Sequence, residues 1–181
     1  MSVRDMSTWI DHHGDMEDCY HGNSIRCYAY VQEGGYCVRT NTLSAYSESN
    51  KQIPRILPSL APTMEVTNIH PAATVKNKST VGGECLVAQG TTLGEKTSVK
   101  RSIVGKNCKI GDKCKIANSV IMDYVTILDG CSVTGSIIGS KVSISEKCEI
   151  KDCIVGAGQS LNAMGHFTNE AIVDIDKMME I

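Results

Sequence analysis

The stretch KRSIVGKNCKIGDKCKIANSVIM, residues 100–122, carries a period of its own: aliphatic residues stand at Val104, Ile110 and Ile116, and the next, Ile121, follows after five. The count extends in both directions. Val75, Val81, Val87, Leu93 and Val99 are each six apart, and after Val104 the groups Ile121, Ile127, Val133 and Ile138, Ile144, Ile150 lead on to Val155. Two steps of six and one of five make a turn of 17 residues. The phase is visible in the letters, since Ser102-Ile-Val-Gly105, Ser119-Val-Ile-Met122, Ser136-Ile-Ile-Gly139 and Asp152-Cys-Ile-Val-Gly156 recur at that spacing.

A six-residue unit with one aliphatic residue inward, a second small inward residue and turn residues between describes one short strand and one corner. Three such units close a triangular coil. Coils stacked at ~4.8 Å make five turns, from about Val75 to about Gly158, into a rod about 25 Å long. A β-sandwich of short strands would show two-fold alternation but no fixed register of six. The expected core is a column of Val87, Val104, Ile121, Ile138 and Val155, together with a ladder of Cys114, Cys131 and Cys148 that continues a row begun by Thr97.

Composition agrees with a solenoid. The 181 residues hold one Trp, one Phe and six Tyr, and five of the tyrosines precede residue 50, so the later region must bury small aliphatic groups in a regular way. The nine cysteines are odd in number and follow the repeat, which predicts reduced thiols in the cytosol. A row of sulfurs does not converge tetrahedrally and the chain has no CxxC pair, so a zinc site is not expected. The net charge of −2, with lysines scattered among acids, points to neither nucleic acid nor an anionic membrane. No run of 18 apolar residues and no secretory signal occurs, which predicts a soluble cytoplasmic chain.

Ahead of the rod, Arg26–Val31 and Tyr36–Arg39 flank Gln-Glu-Gly-Gly, the pattern of a hairpin. Asn41 is the expected N-cap of a helix carrying Leu43, Tyr46 and Ile53 on one face and ending at Pro54. One hairpin and one helix are too little for a core. Pro58 and Pro62 mark a linker. The residues His12, His13, Asp15 and His21 read as a solvated loop in preference to a metal site.

For chemistry the chain offers little. Between Val75 and Gly158 there is no histidine and no inserted loop, and His70 and His166 stand at the two ends. A general base on the rod, or a three-histidine zinc site, would need residues that the coils lack. Gly34-Gly35 is a turn and no phosphate-binding loop follows an early strand. The expectation is no catalytic, cofactor-binding or metal-binding residue, and no cofactor.

Arg26-Cys-Tyr28, the segment Cys37-Val-Arg-Thr-Asn-Thr-Leu-Ser-Ala-Tyr-Ser-Glu-Ser-Asn-Lys-Gln-Ile-Pro54, Lys100-Arg-Ser-Ile-Val-Gly105, Lys151-Asp-Cys-Ile-Val-Gly-Ala-Gly-Gln159 and the ending Met179-Glu-Ile181 resemble the gamma-subunit family of eukaryotic translation initiation factor 2B. That family is similar to sugar-nucleotide pyrophosphorylases. The resemblance implies a mainly all-β fold, a left-handed parallel β-helix of hexapeptide repeats preceded by a hairpin-plus-helix remnant of an α/β nucleotidyltransferase-like domain. On that reading residues 1–57 are the remnant, 58–69 a linker, 70–165 the β-helix and 166–181 a tail, the whole being a C-terminal portion of the family's length. It also implies a non-catalytic subunit of a guanine-nucleotide exchange factor, with the epsilon subunit, the other subunits and initiation factor 2 as partners. Ile172, Val173, Ile175 and Met178 give the tail an apolar strip that would meet a partner or cap the last coil. The alternative is a fragment of a nucleotidyltransferase or hexapeptide acyltransferase that uses the rod to oligomerise.

Overall fold

The computed structural model describes residues 33–60 and 67–173, the side chain of Leu60 excepted. One helix, α1 (Leu43–Leu60), precedes eighteen short strands wound as six coils. The first three coils hold β1 (Thr74–Val75), β2 (Thr80–Val81), β3 (Leu86–Val87), β4 (Thr92–Leu93), β5 (Ser98–Lys100), β6 (Ile103–Val104), β7 (Lys109–Ile110), β8 (Lys115–Ala117) and β9 (Val120–Ile121). The other three hold β10 (Thr126–Ile127), β11 (Ser132–Thr134), β12 (Ile137–Ile138), β13 (Ser143–Ile144), β14 (Glu149–Lys151), β15 (Ile154–Val155), β16 (Ser160–Leu161), β17 (His166–Thr168) and β18 (Ala171–Ile172).

Every third strand pairs in parallel, giving three six-stranded sheets, the β1, β2 and β3 faces of a left-handed β-helix. Register follows the sequence period: Ile110 lies under Ile127, Ile116 under Val133 and Ile121 under Ile138. Only the first coil differs, since Thr74 pairs with Thr92 and Thr80 with Ser98 across 18 residues. Inside the prism Val87, Val104, Ile121, Ile138 and Val155 are buried, as are Cys114, Cys131 and Cys148. Each fully buried Val or Ile contributes about 1.5–3 kcal/mol of apolar burial, so stacking coils is what stabilises the rod.

The corners need a left-handed backbone. Positive φ recurs in three columns, for example Lys96, Lys113, Gly130, Lys147 and Met164 in one of them, or Arg101, Asn118, Gly135, Asp152 and Asn169 in another. A non-glycine residue there costs about 1–2 kcal/mol. The corner N–H groups offset this by bonding carbonyls of the preceding coil, as in Lys113 N–H to Glu95 O (2.8 Å), Asn118 to Lys100 (3.0 Å) and Tyr124 to Lys106 (2.9 Å). Where coils touch most closely glycine is required: a Cβ on Gly94, Gly105 or Gly111 would overlap the carboxylate of Asp112, Asp123 or Asp129 one coil on.

The rod is longer than the period predicted. A sixth coil carries Leu161, Phe167 and Ile172 at inward positions beside Ile144, Ile150 and Val155, so its strands run past residue 165 to Ile172. Phe167 in a row of branched aliphatics disguised the register. The helix also differs. Thr42, not Asn41, caps it, with Ala45 N–H donating to Thr42 Oγ1 at 3.2 Å. It continues through Pro54 and Pro58 to Leu60 and so occupies the start of the expected linker. Each proline removes one helical hydrogen bond. Of the expected hairpin, Arg26–Val31 lies outside the described residues, Gly34 and Gly35 both have positive φ, and Tyr36–Arg39 is not in a strand.

Candidate interaction faces

Adjacent strand residues point to opposite sides of a sheet, so each inward column has an outward neighbour. On the β3 face that neighbour is Leu86, Ile103, Val120, Ile137, Ile154 and Ala171. Val120 is only 4% exposed and Ile137 only 8%, although both point away from the prism. The cover is α1. Leu43, Ser44, Ser47, Glu48 and Lys51 border one crevice with Ile137, Asp152 and Ile154.

At its other end the Arg55 guanidinium donates to Glu84 Oε1 from Nη2 and from Nε, the latter at 2.9 Å, while Arg101 Nε lies 3.3 Å from Glu84 Oε2. Asp152 is four coils beyond Glu84, about 19 Å of rod at ~4.8 Å per coil. The twelve residue steps from Leu43 to Arg55 span about 18 Å of helix. The two lengths match, so α1 lies along the β3 face, antiparallel to the climb of the coils. Ser49 is its most buried side chain and satisfies its hydroxyl by donating to Ala45 O at 2.7 Å.

The other two faces are polar. Outward on the β1 face stand Thr74, Thr92, Lys109, Thr126, Ser143 and Ser160, with the exposed Tyr124 and Leu128 at the ends of β10. The β2 face presents Thr80, Ser98, Lys115, Ser132, Glu149 and His166. His166 Nδ1 lies 3.3 Å from Glu149 Oε2, both side chains being open to solvent at 73% and 63%. His70 is exposed at the first coil and accepts a hydrogen bond from Ala72 N–H at 3.1 Å.

The thiols are part of the wall. Cys114, Cys131 and Cys148 donate to Leu128 O (3.2 Å), Ser145 O (3.0 Å) and Asn162 O (3.0 Å) of the next coil. The hydrogen bond with Cys114, and then burial, pushes Cys131 far up from the ordinary thiol range, and the same bond draws Cys114 down. Burial is the largest cause raising Cys108 and Cys148. A thiol held protonated is a poor nucleophile and a poor metal ligand. Among the described residues no group of three or more His, Cys, Asp or Glu is arranged to hold a metal, and no helix is long and apolar enough to cross a membrane.

Of the apolar strip expected to meet a partner, Ile172 is turned into the last coil and packs on the core, whereas Val173 points out and is 40% exposed. Ile175 and Met178 lie outside the described residues, as do His12, His13, Asp15 and His21. The outward β3 column escaped the sequence reading although its signal was present. The doublets Leu86-Val87, Ile103-Val104, Val120-Ile121, Ile137-Ile138 and Ile154-Val155 place two adjacent apolar residues where a sheet with one wet side shows only one.

A family model described as the EIF2B subunit epsilon LbH domain matches residues 67–167. Translation initiation factor eIF2B subunit gamma of Dictyostelium discoideum is 41% identical over 88 residues, covering 46% of this chain and 20% of that protein. The chain thus spans about a fifth of that relative's length. Among solved structures, a mutant GDP-perosamine N-acetyltransferase of Caulobacter crescentus, in complex with CoA and GDP-perosamine, is 17% identical with a TM-score of 0.55, over 72% of this chain and 64% of the other. PerB from the same organism, with the same ligands, is 19% identical with a TM-score of 0.54, over 71% and 65%. Likeness at that identity speaks to the fold alone.

Proposed function

The chain belongs to the family of eIF2B-type left-handed β-helix domains, and from that premise we propose that it is a non-catalytic assembly subunit of the guanine-nucleotide exchange factor acting on translation initiation factor 2. The observation that carries this reading is the β3 face. A continuous outward apolar column, covered along its middle by α1, makes the rod a platform on which other secondary structure is mounted. Enclosed catalytic grooves are not what such a platform supplies. The interior is filled by aliphatic side chains and buried thiols, and every corner between strands is short.

On this reading the chain works in the cytosol through protein partners: an epsilon-type subunit, the other subunits of the factor, and initiation factor 2. Residues 1–57 carry the end of a nucleotidyltransferase-like domain whose helix, α1, is the joint with the rod. Co-expression tests it. The tagged chain is expected to co-purify with an epsilon-type subunit and with initiation factor 2, and to add no GDP release of its own. Absence of both partners from the purified material would reject the reading.

The rival reading, acyl transfer, has one observation in its favour, the His166–Glu149 pair on the β2 face. A carboxylate on one ring nitrogen orients the other as a base. Both side chains are mostly solvated and among the described residues no loop encloses them, so none of those residues excludes water from a reacting centre. Transfer of acetyl from coenzyme A to an amine, lost in His166→Ala, would establish the rival.

A further inference from the structure

The β2 face carries a separation of charge that neither its fold nor the platform role requires. At the corner leading into it, each acidic residue immediately precedes the residue of positive φ: Glu95 before Lys96, Asp112 before Lys113, Asp129 before Gly130, Glu146 before Lys147. Two of these carboxylates are tied down across coils, since Asp112 Oδ1 accepts from Glu95 N–H and Asp129 Oδ1 from Asp112 N–H, each at 2.7 Å. The lysines of that corner join those on the sheet. Lys96, Lys100, Lys113, Lys115, Lys147 and Lys151 are all exposed, and among the described residues none has a carboxylate within 4.0 Å. Glu149, the one acid at an outward strand position of this face, is engaged by His166.

The fourth coil leaves a gap in this row. Gly130 and Ser132 offer almost no side chain, and Lys113 and Lys115 on one side with Lys147, Glu149 and His166 on the other border the shallow notch that results. Lys113 and Lys147 are two coils apart, about 10 Å along the rod. An extended chain repeats its side chains on one side every ~6.6 Å, so two carboxylates of one strand fall within reach of both lysines.

We propose that the β2 face, centred on the Gly130–Ser132 notch, docks an extended acidic segment of a partner protein. Charge complementarity selects the occupant: unpaired cations concentrate on one face of a chain whose net charge is −2. A nucleic acid fits less well, because the outward positions of this face carry no Phe, Tyr or Trp for stacking bases and Glu149 stands among the lysines. The inference rests on the assembly reading and adds to it the chemistry of one partner.

Fluorescence anisotropy of a labelled peptide of six Glu-Ser repeats with the full chain tests it. The triple variant Lys113→Glu, Lys115→Glu, Lys147→Glu should weaken binding about tenfold or more, whereas Lys106→Glu, Lys109→Glu, Lys141→Glu, an equal change of net charge around the β1 face, should change it less than about twofold. A Lys→Gln version of each set serves if either reversal lowers the melting temperature. The inference is overturned if the wild-type chain does not bind the peptide, if both triples lose equally, if a Gln-Ser peptide binds as well, or if a single-stranded oligothymidine binds more tightly. Absence of both an epsilon-type subunit and initiation factor 2 from the purified wild-type chain would sink the assembly reading, and the anisotropy series still decides this one.

Discussion

Two apolar columns run side by side along the β3 face, one residue apart in sequence, and they are held by different things. The inner column, Val87 to Val155, is sealed by the coils themselves, because each turn of the repeat closes a wall around it. Its outer neighbour, Leu86 to Ile154, is apolar in the same register yet depends for cover on α1, a segment outside the repeat. Local periodicity is enough to bury the first. The second needs a long-range partner, and its middle, Val120 and Ile137, is buried only where that partner lies.

Substitutions in the two columns should therefore separate rod stability from helix docking. The largest effect is expected inside the prism: Cys131→Asp buries a carboxylate with no counter-charge and should cost about 3 kcal/mol or more. A thermal melt reads it, and an unchanged midpoint would mean that the thiol ladder is not internal. Next comes Ile137→Asp on the outer column, with a cost of about 2 kcal/mol confined to docking. Amide exchange in residues 43–60 should accelerate while the strands keep their protection. If the strands lose protection equally, the distinction between the columns fails.

A smaller effect is expected at the clamp. Glu84 is partly exposed, and Glu84→Gln removes its ion pairs with Arg55 and Arg101 at a cost of about 0.5 kcal/mol. Faster exchange at the C-terminal end of α1 alone would locate that contribution; an identical exchange profile would show that the clamp contributes nothing. The smallest effect is Cys131→Ser, because Ser102, Ser119 and Ser136 occupy the equivalent inward position at another corner, each donating to a carbonyl. The signature of the buried thiols is in pH. Cys108, Cys131 and Cys148 have folded-state pKa values raised above the ordinary thiol value. Their protonated form is favoured by folding, so that stability is intact below about pH 8.5 and is lost as pH rises above it. Cys108→Ser, which leaves the Cys114–Cys131 bond in place, should lose less than the wild type between about pH 8.5 and 10; equal slopes would place the thiolate cost elsewhere.

Much of the rod was legible because a repeat writes the same packing problem many times. The spacing of Val104, Ile110, Ile116 and Ile121 defines strand, corner and coil without knowledge of anything distant. It faltered at the end, where Phe167 replaced an aliphatic, and at α1, where Pro54 reads locally as a stop but Pro58 and Leu60 are still helical. A proline penalty is a local quantity, and burial against the β3 face is not. The cationic notch was hidden for a related reason: Lys113, Lys115 and Lys147 are separated along the chain by acids that the fold directs elsewhere.

What the sequence determined by itself is the coil: its 17-residue length, its inward aliphatic column and its cysteine ladder, since each follows from side chains of neighbouring turns in register. Tertiary structure alone decided which outward column is covered, which acids are tied across coils and which lysines remain free. Those are contacts between residues with no fixed spacing in the chain, and no period announces them.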